Sequence, residues 1–310
     1  MDAVSPADQH PTRVFAVVNP VHRASGRARA ALERGAAASG LDLTVLTTTL
    51  ADPGPGQARE ALDAGARVVV VVGGDGTVRG VAGVLAGSGV PLGLVPTGTA
   101  NLFARNLGLR PRALAANAAT ALSGKPRAVD VGWSRHRRGA DWSDEEPFLI
   151  VAGLGHDAAT VLGTSTALKR RVRWLAYLVA GLGHLTRRPI ELDLSTDQGP
   201  ARRVRTWSVL AGNCGRLPGG IAVFPDADLG DGVLETLLVP LRHPGQWAAI
   251  AAKGLFRLRR DIAALDYGRA RELIVRPVVP QPLQLDGDAV AAVDEASWRV
   301  AASALLVRTP

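Results

Sequence analysis

The sequence predicts two domains of different class, an α/β layer with parallel strands over about residues 12–128 and a domain of largely antiparallel sheet over about 129–298. Three observations predict it. Apolar, β-branched runs alternate with helical segments through the first part, the signature of parallel strands joined by right-handed crossovers. The second part changes to short strand-like segments joined by Gly, Pro or Asp turns. A length of 310 residues suits two domains, each with its own core.

In chain order, Arg13–Asn19 (RVFAVVN) reads as a buried strand, followed by a turn and the helical segment RARAALERGAAASG. Leu41–Leu46 gives a second strand, and QAREALDAG a helix stopped by Gly65. Arg67–Val72 (RVVVVV) is an unbroken β-branched run, as expected of a strand covered on both faces. Pro91–Val95 repeats the plan and leads through PTGT into a helix, ANLFARNLG. The second half offers AVDVGWS, PFLIVAG, IELDLST, VRTWSVLAG, GVLETLLVP, ELIVRP and PLQLDGD as strands. A helical stretch is inserted from about Leu168 to Leu185, and Arg135–Pro147 reads as a solvated hairpin excursion.

Composition narrows the function classes. A net charge of +8 suits a polyanionic partner, but arginine carries nearly all of it and no nucleic-acid recognition motif accompanies it. The single cysteine, Cys214, excludes an intramolecular disulfide and a cysteine-based zinc site, and fits a reducing compartment. The N-terminal MDAVSPADQHP lacks the pattern of a secretory signal, and no apolar run approaches the ~18 residues of a spanning helix. The expected location is cytoplasmic, with peripheral attachment to the inner face of the membrane.

The strongest local signal is VVVVVGGDGTVRG, where a buried strand runs into Gly73, Gly74, Asp75, Gly76 and Thr77 and then a helix. Glycines let backbone N–H groups approach a ligand, and a helix start adds partial positive charge, so phosphate oxygens are the natural occupant. Asp75 would face a phosphate only through a magnesium ion, a water or an acceptor hydroxyl. The competing reading is a tight turn in which Asp75 and Thr77 cap a helix. A second turn of this kind follows at Thr97, Gly98 and Thr99, with Asn101 opening the next helix. Turns after adjacent parallel strands fall at one sheet edge, where α/β folds bind ligands. Asn19-Pro20 with Ser25 and Gly26 offers a third wall. The chain has no GxxxxGK[ST] loop, and its GxGxxA at Gly153, Gly155 and Ala158 lies in the β-rich half.

Phosphoryl transfer to a hydroxyl also asks for a carboxylate to take the proton. PLQLDGDAV places Asp286 and Asp288 around Gly287, either as such a group or as an exposed hairpin turn. PDADLGDGVLE gathers Asp226, Asp228 and Asp231 on a loop, either as an oxygen-ligand cation site or as a polar turn.

Taken in order, NP…SG (Asn19–Gly26), GGDGT (Gly73–Thr77), PTGTAN (Pro96–Asn101), AGLGHDA (Ala152–Ala158), GGIAVFPDADLGDG (Gly219–Gly232) and LDGD (Leu285–Asp288) resemble the diacylglycerol kinase catalytic family, which includes bacterial lipid kinases and sphingosine kinases. The resemblance spans almost the whole chain. It implies a Rossmann-like N-terminal nucleotide domain, related to those of NAD kinases and phosphofructokinases, and a C-terminal β-sandwich, with the active site between them. The final strand, near Ala304–Arg308, would return to the first domain. ATP would contact Asn19, Ser25, Thr48 or Thr49, the Gly73–Thr77 turn and Thr99. A structural magnesium site would use the Asp231 side chain with the backbone carbonyls of Asp228 and Val233. The catalytic carboxylate would lie in the Asp286–Asp288 turn, with Asp288 preferred.

Two departures accompany the resemblance. Val78, Arg79 and Gly80 stand where the family usually has a hydrophobic residue and Asn-Glu, and the usual DGE is DGD here. The implied reaction is ATP- and Mg2+-dependent transfer to a lipid hydroxyl, diacylglycerol giving phosphatidic acid. Basic and aromatic residues at Lys169–Trp174, Arg187–Pro189 and Gly254–Arg260 suit anionic phospholipid headgroups at the membrane surface. A homodimer is compatible with these motifs, and nucleic acid is not an expected partner. The alternatives are an NAD kinase, which shares GGDGT, and a nucleotide-sensing module that binds ATP without transfer.

Overall fold

The computed structural model describes residues 12–156, 158, 188–217, 221–240 and 265–310. The chain divides into two units, one extending to Arg127 and taking in Leu306–Pro310, the other Ala128–Leu305.

The first unit runs β1 (Arg13–Val18), α1 (Ser25–Ala38), β2 (Asp42–Thr47), α2 (Pro55–Asp63), β3 (Val68–Gly73), α3 (Asp75–Leu85), β4 (Leu92–Pro96), α4 (Leu102–Asn106) and α5 (Leu114–Ser123). Its strands are parallel in the order β4-β3-β1-β2. β3 and β4 are buried at every residue, and β1 at all but Arg13, because helices cover both faces of a parallel sheet. β2, at the edge, is only partly covered. α1 buries Ala28, Leu32 and Ala36, four residues apart on one face, and packs on α5. The helices approach closely at Gly35, where a Cβ would lie 3.0 Å from Leu122 Cδ1. The helix expected over ANLFARNLG is shorter than its sequence, because Gly108 turns the chain at φ 83°. α5 then lies against β4.

The second unit takes in β5 (Lys125–Arg138), whose first residues belong to the first unit, then β6 (Asp141–Trp142), β7 (Glu146–Phe148) and β8 (Val151–Gly155). There follow β9 (Ile190–Thr196), β10 (Arg202–Thr206), β11 (Ser208–Gly212), β12 (Arg216–Leu217), β13 (Ile221–Ala222), β14 (Leu234–Leu238) and β15 (Asp266–Ala270). The last are β16 (Glu272–Pro277), β17 (Gln281–Leu285), β18 (Asp288–Val293) and β19 (Glu295–Thr309). One antiparallel sheet is ordered β15-β14-β11-β8-β17-β18, and β10-β9-β16-β19 forms part of another. Side chains of both sheets, among them Leu154, Val209 and Leu283 with Leu192, Leu273 and Trp298, join in one core, as in a β-sandwich. The end of β19 lies in the first unit, where Val307 pairs in parallel with Leu92 of β4.

Further elements differ from the sequence expectation. VRTWSVLAG is two strands in different sheets, divided at Trp207, whose backbone N–H donates to Val239 O at 2.8 Å. Thr206 Oγ1 fixes the break by donating to Ser208 O (2.8 Å) and accepting from Val239 N (3.0 Å). The excursion at Arg135–Pro147 is the solvated hairpin the sequence suggested, with β5 running on to Arg138 to pair with β6 and the Arg135 guanidinium 4.9 Å from the Trp142 ring centroid. The last strand is fifteen residues long. The helical stretch Leu168–Leu185, Lys169–Trp174, Arg187 and Gly254–Arg260 lie outside the described residues.

Candidate active site

The parallel sheet of the first unit ends all four strands at one edge, since Val18 pairs with both Thr47 and Val72, and Gly73 with Pro96. The loops leaving those strands therefore meet. Asn19 continues β1, its backbone N–H donating to Val72 O at 2.9 Å, and its side-chain Nδ2 donates to Thr77 Oγ1 at 3.1 Å. Ser25 Oγ closes the loop by donating to Asn19 O at 2.6 Å, and Gly26 follows in the first turn of α1.

The two glycine turns are in direct contact. Thr97 N donates to Gly73 O at 2.9 Å, and a Cβ placed on Gly98 would lie 2.6 Å from the Gly74 Cα. Only glycine at 98 permits that approach. α3 opens at Asp75, so the first-turn N–H groups through Thr77 have no partner within their helix and offer donors to an anion. Thr77 is buried and Gly76 exposed.

Asp75 has a structural task as well. Its Oδ1 accepts from Leu102 N at 2.7 Å and Phe103 N at 3.4 Å, which caps α4 across the seam of the two turns. Asn101 sits at φ 47°, a conformation asparagine tolerates, and its Nδ2 donates to Gly98 O at 2.7 Å. Its Oδ1 is buried with no hydrogen-bond partner among the described residues, as is Thr97 Oγ1. Thr99 is exposed on the same turn. Thr48 is buried at the end of β2, while Thr49 Oγ1 accepts from Asp52 N. A nucleotide fits these groups, with α3 N–H donors for phosphate and an orphaned acceptor on Asn101 for a hydroxyl or amino group.

In the second unit, β17 and β18 form a hairpin whose two turn residues, Asp286 (φ 52°) and Gly287 (φ 84°), both lie in the left-handed region. This is the Asp-Gly turn that matches strand twist. Asp286 does more than turn the chain. Its Oδ2 accepts from Leu149 N (2.9 Å), and its Oδ1 accepts from Ile150 N (2.8 Å) and Val151 N (2.9 Å). Asp288, the next carboxylate, is exposed.

The Asp228–Val233 loop is tied down by groups that sequence reasoning missed. Asp130, fully buried on β5, accepts from Gly232 N (2.7 Å) and Ser303 N (2.6 Å), and Asn213 Nδ2 donates to Asp130 O (3.0 Å). The only signal for Asp130 was a lone carboxylate in an apolar strand. Asp228 Oδ1 accepts from Gly230 N, and Asp231 Oδ1 from Val233 N. The other Asp231 oxygen is paired with the Arg269 guanidinium, whose Nε lies 2.9 Å from Glu235 Oε1. Burial pushes the Glu235 carboxyl up from its ordinary range, and Arg269 opposes that shift. A cation on the Asp231 side chain would have to displace this guanidinium, so these residues, as arranged, do not fit the expected magnesium site. Among the described residues no cluster of three His, Cys, Asp or Glu side chains could hold a metal.

Residues 13–134 match the diacylglycerol kinase catalytic domain, and residues 150–305 match the YegS C-terminal NAD kinase beta sandwich-like domain. The chain is 33% identical over 181 residues to a diacylglycerol kinase of Mycobacterium tuberculosis (strain CDC 1551 / Oshkosh), covering 56% of this chain and 55% of that one. The alignment thus spans about half the length of that relative. It is 36% identical over 228 residues to the Probable lipid kinase YegS-like of Chromohalobacter salexigens, covering 72% of this chain and 67% of the relative. A crystal structure of a diacylglycerol kinase from Bacillus anthracis str. Sterne superimposes with a TM-score of 0.68 at 19% identity over 96% of this chain and 97% of that one, which shows the shared fold. Among the described residues no helix is long and apolar enough to cross a membrane.

Proposed function

Because the chain belongs to the family of diacylglycerol kinases and YegS-like lipid kinases, we propose that it transfers the γ-phosphoryl group of ATP to a lipid hydroxyl, with diacylglycerol as acceptor and phosphatidic acid as product. The observation that carries this reading is the contact of the Gly74 and Gly98 turns at the shared edge of β3 and β4, where α3 begins. Backbone N–H groups there hold the phosphates, and Asn19, Ser25 and Thr77 keep the first wall in place. Asp75 is the carboxylate beside the turn that would meet Mg2+ accompanying ATP, an ion that would neutralise phosphate charge.

In the transfer, the lipid oxygen forms a bond to the γ-phosphorus, the bond to the β-phosphate oxygen breaks, and ADP leaves. The hydroxyl proton passes to Asp288. Asp288 is assigned that role over Asp286 because both Asp286 oxygens already accept backbone N–H groups, whereas Asp288 is exposed. Lipid access places the enzyme at a membrane surface, bound peripherally to anionic headgroups.

Purified protein with labelled MgATP and mixed micelles of diacylglycerol tests the reading. The expected result is labelled phosphatidic acid, lost by about 10²-fold or more in Asp288→Asn. Label in NADP when NAD is offered, and none in lipid, would assign NAD kinase instead. Tight ATP binding with no transfer to diacylglycerol or NAD would leave a nucleotide sensor.

A further inference from the structure

The loop from Asn19 to Ser25 carries a group that none of the motifs assigns. His22 sits midway along it, its backbone carbonyl accepting from Ser25 N at 2.9 Å. Its ring reaches the glycine seam: Nε2 lies 3.2 Å and Cε1 3.7 Å from the place a Cβ would take on Gly74. The same face of Gly74 meets the Gly98 Cα at 3.3 Å. The imidazole is partly buried and makes no hydrogen bond or ion pair with any described residue. An imidazole, whose ring N–H can donate a hydrogen bond, is thus held, unpartnered, against the turn that opens an eleven-residue helix.

A second observation points to a ligand at this seam. Asn101, only 4% exposed, has an unpartnered buried Oδ1 that would lie 2.9 Å from a Cβ on Gly98. Neither Gly73–Thr77 nor Pro96–Asn101 contains a lysine or arginine. Nucleotide phosphates gathered by such turns are commonly met by a cationic side chain in addition to backbone N–H groups. The turns themselves have no such side chain, and His22 brings a ring N–H donor from the neighbouring loop.

We propose that His22 is a phosphate-binding residue of the nucleotide site, its Nε2–H donating to a β- or γ-phosphate oxygen of ATP. This rests on the reading of the glycine turns as the nucleotide site. The interaction is with the phosphates and not the nucleoside, because the imidazole tip lies on Gly74, one residue before α3 begins.

Calorimetric binding of ATP, ADP and adenosine to wild-type protein, His22→Ala and His22→Lys tests it, with thermal unfolding of each variant alongside. His22→Ala should weaken ATP about tenfold or more, as expected for loss of a hydrogen bond to a charged group. It should leave adenosine affinity and the unfolding midpoint unchanged, and His22→Lys should restore ATP affinity. In turnover assays KM for ATP should rise while KM for the lipid stays fixed. A loss for ATP alone would assign the γ-phosphate, and an equal loss for ADP the β-phosphate. Unchanged ATP affinity in His22→Ala, or an equal loss for adenosine, would overturn the assignment of His22. Wild-type protein that binds no nucleotide would instead overturn the reading of the turns themselves.

Discussion

Replacing Asp286 should cost more stability than its place in an exposed turn suggests. A solvated hairpin aspartate is ordinarily worth a few tenths of a kcal/mol, but this one holds the backbone N–H groups of three successive residues, Leu149, Ile150 and Val151, all of them buried. Asp286→Gly keeps the left-handed turn accessible and removes only the carboxylate. Three N–H donors then lose a charged acceptor, each worth about 1–3 kcal/mol when left buried and unsatisfied. Water relaxes part of this, so the expected loss is about 3–6 kcal/mol. Asp286→Ala should lose roughly 1 kcal/mol more through left-handed strain. Asp286→Asn keeps an oxygen for Ile150 and Val151 but sets an NH2 against Leu149 N, for a loss of about 1–3 kcal/mol. Urea unfolding followed by circular dichroism measures the series, and each kcal/mol should also lower Tm by about 2–4 °C for a unit of this size. Asp286→Gly within about 0.5 kcal/mol of wild type would refute the reasoning, because a clamp of three bonds cannot be that weak.

Asp288→Asn, two residues on, should cost far less stability than Asp286→Gly, since Asp288 is exposed, and should act chiefly on phosphoryl transfer. Gly98→Ala drives a methyl to 2.6 Å from the Gly74 Cα, so it should separate the turns, cost about 1–3 kcal/mol and abolish ATP binding in a fluorescence titration. EDTA should leave the unfolding midpoint of wild-type protein unchanged, because Arg269 already bridges Asp231 and Glu235. Arg269→Met should lower that midpoint and make it rise with added Mg2+, and a wild-type midpoint that falls in EDTA would contradict this. His136 is buried on β5 with its pKa lowered, mainly by burial, so its neutral form is favoured by folding. Its stabilising contribution is present above the ordinary value of 6.5 and is lost as pH falls through the lower folded value. Urea midpoints between pH 7.5 and 5 should therefore fall, and fall less in His136→Gln.

The fold class was legible because period and composition change sharply between the halves. An unbroken RVVVVV run is the signature of a strand covered on both faces, and the glycine turns after β3 and β4 announce a shared edge. The break at Trp207 was not legible. It depends on Thr206 and on Val239, more than thirty residues away, and neither local propensity nor period carries such a contact. The same holds for β19, whose left-handed residue Ser303 (φ 51°) is held by Asp130 on a strand 173 residues earlier. His22 was hidden for a different reason. Nothing in NPVHRASG says which way the loop folds, and only the glycine-to-glycine contact shows what the imidazole lies against.

The carboxylates of the motifs divide their labour in a way that composition alone conceals. Asp75 caps α4 and Asp286 clamps Leu149–Val151, so each fixes the backbone of a segment remote in sequence. An aspartate can do this because its short side chain presents two acceptors close to its own backbone, and at Asp286 they meet the start of β8, the strand paired with β17. In such a hairpin the pairing of Leu285 with Asp288 fixes where Asp288 emerges, and the clamp on Asp286 fixes the pairing. Lengthening residue 288 by one methylene, Asp288→Glu, would therefore move the carboxylate without disturbing the turn. If the proton acceptor is Asp288, that change should alter kcat by more than it alters stability or KM for ATP. If it left kcat untouched while Asp286→Asn abolished it at equal folded fraction, the roles of the two carboxylates would have to be exchanged.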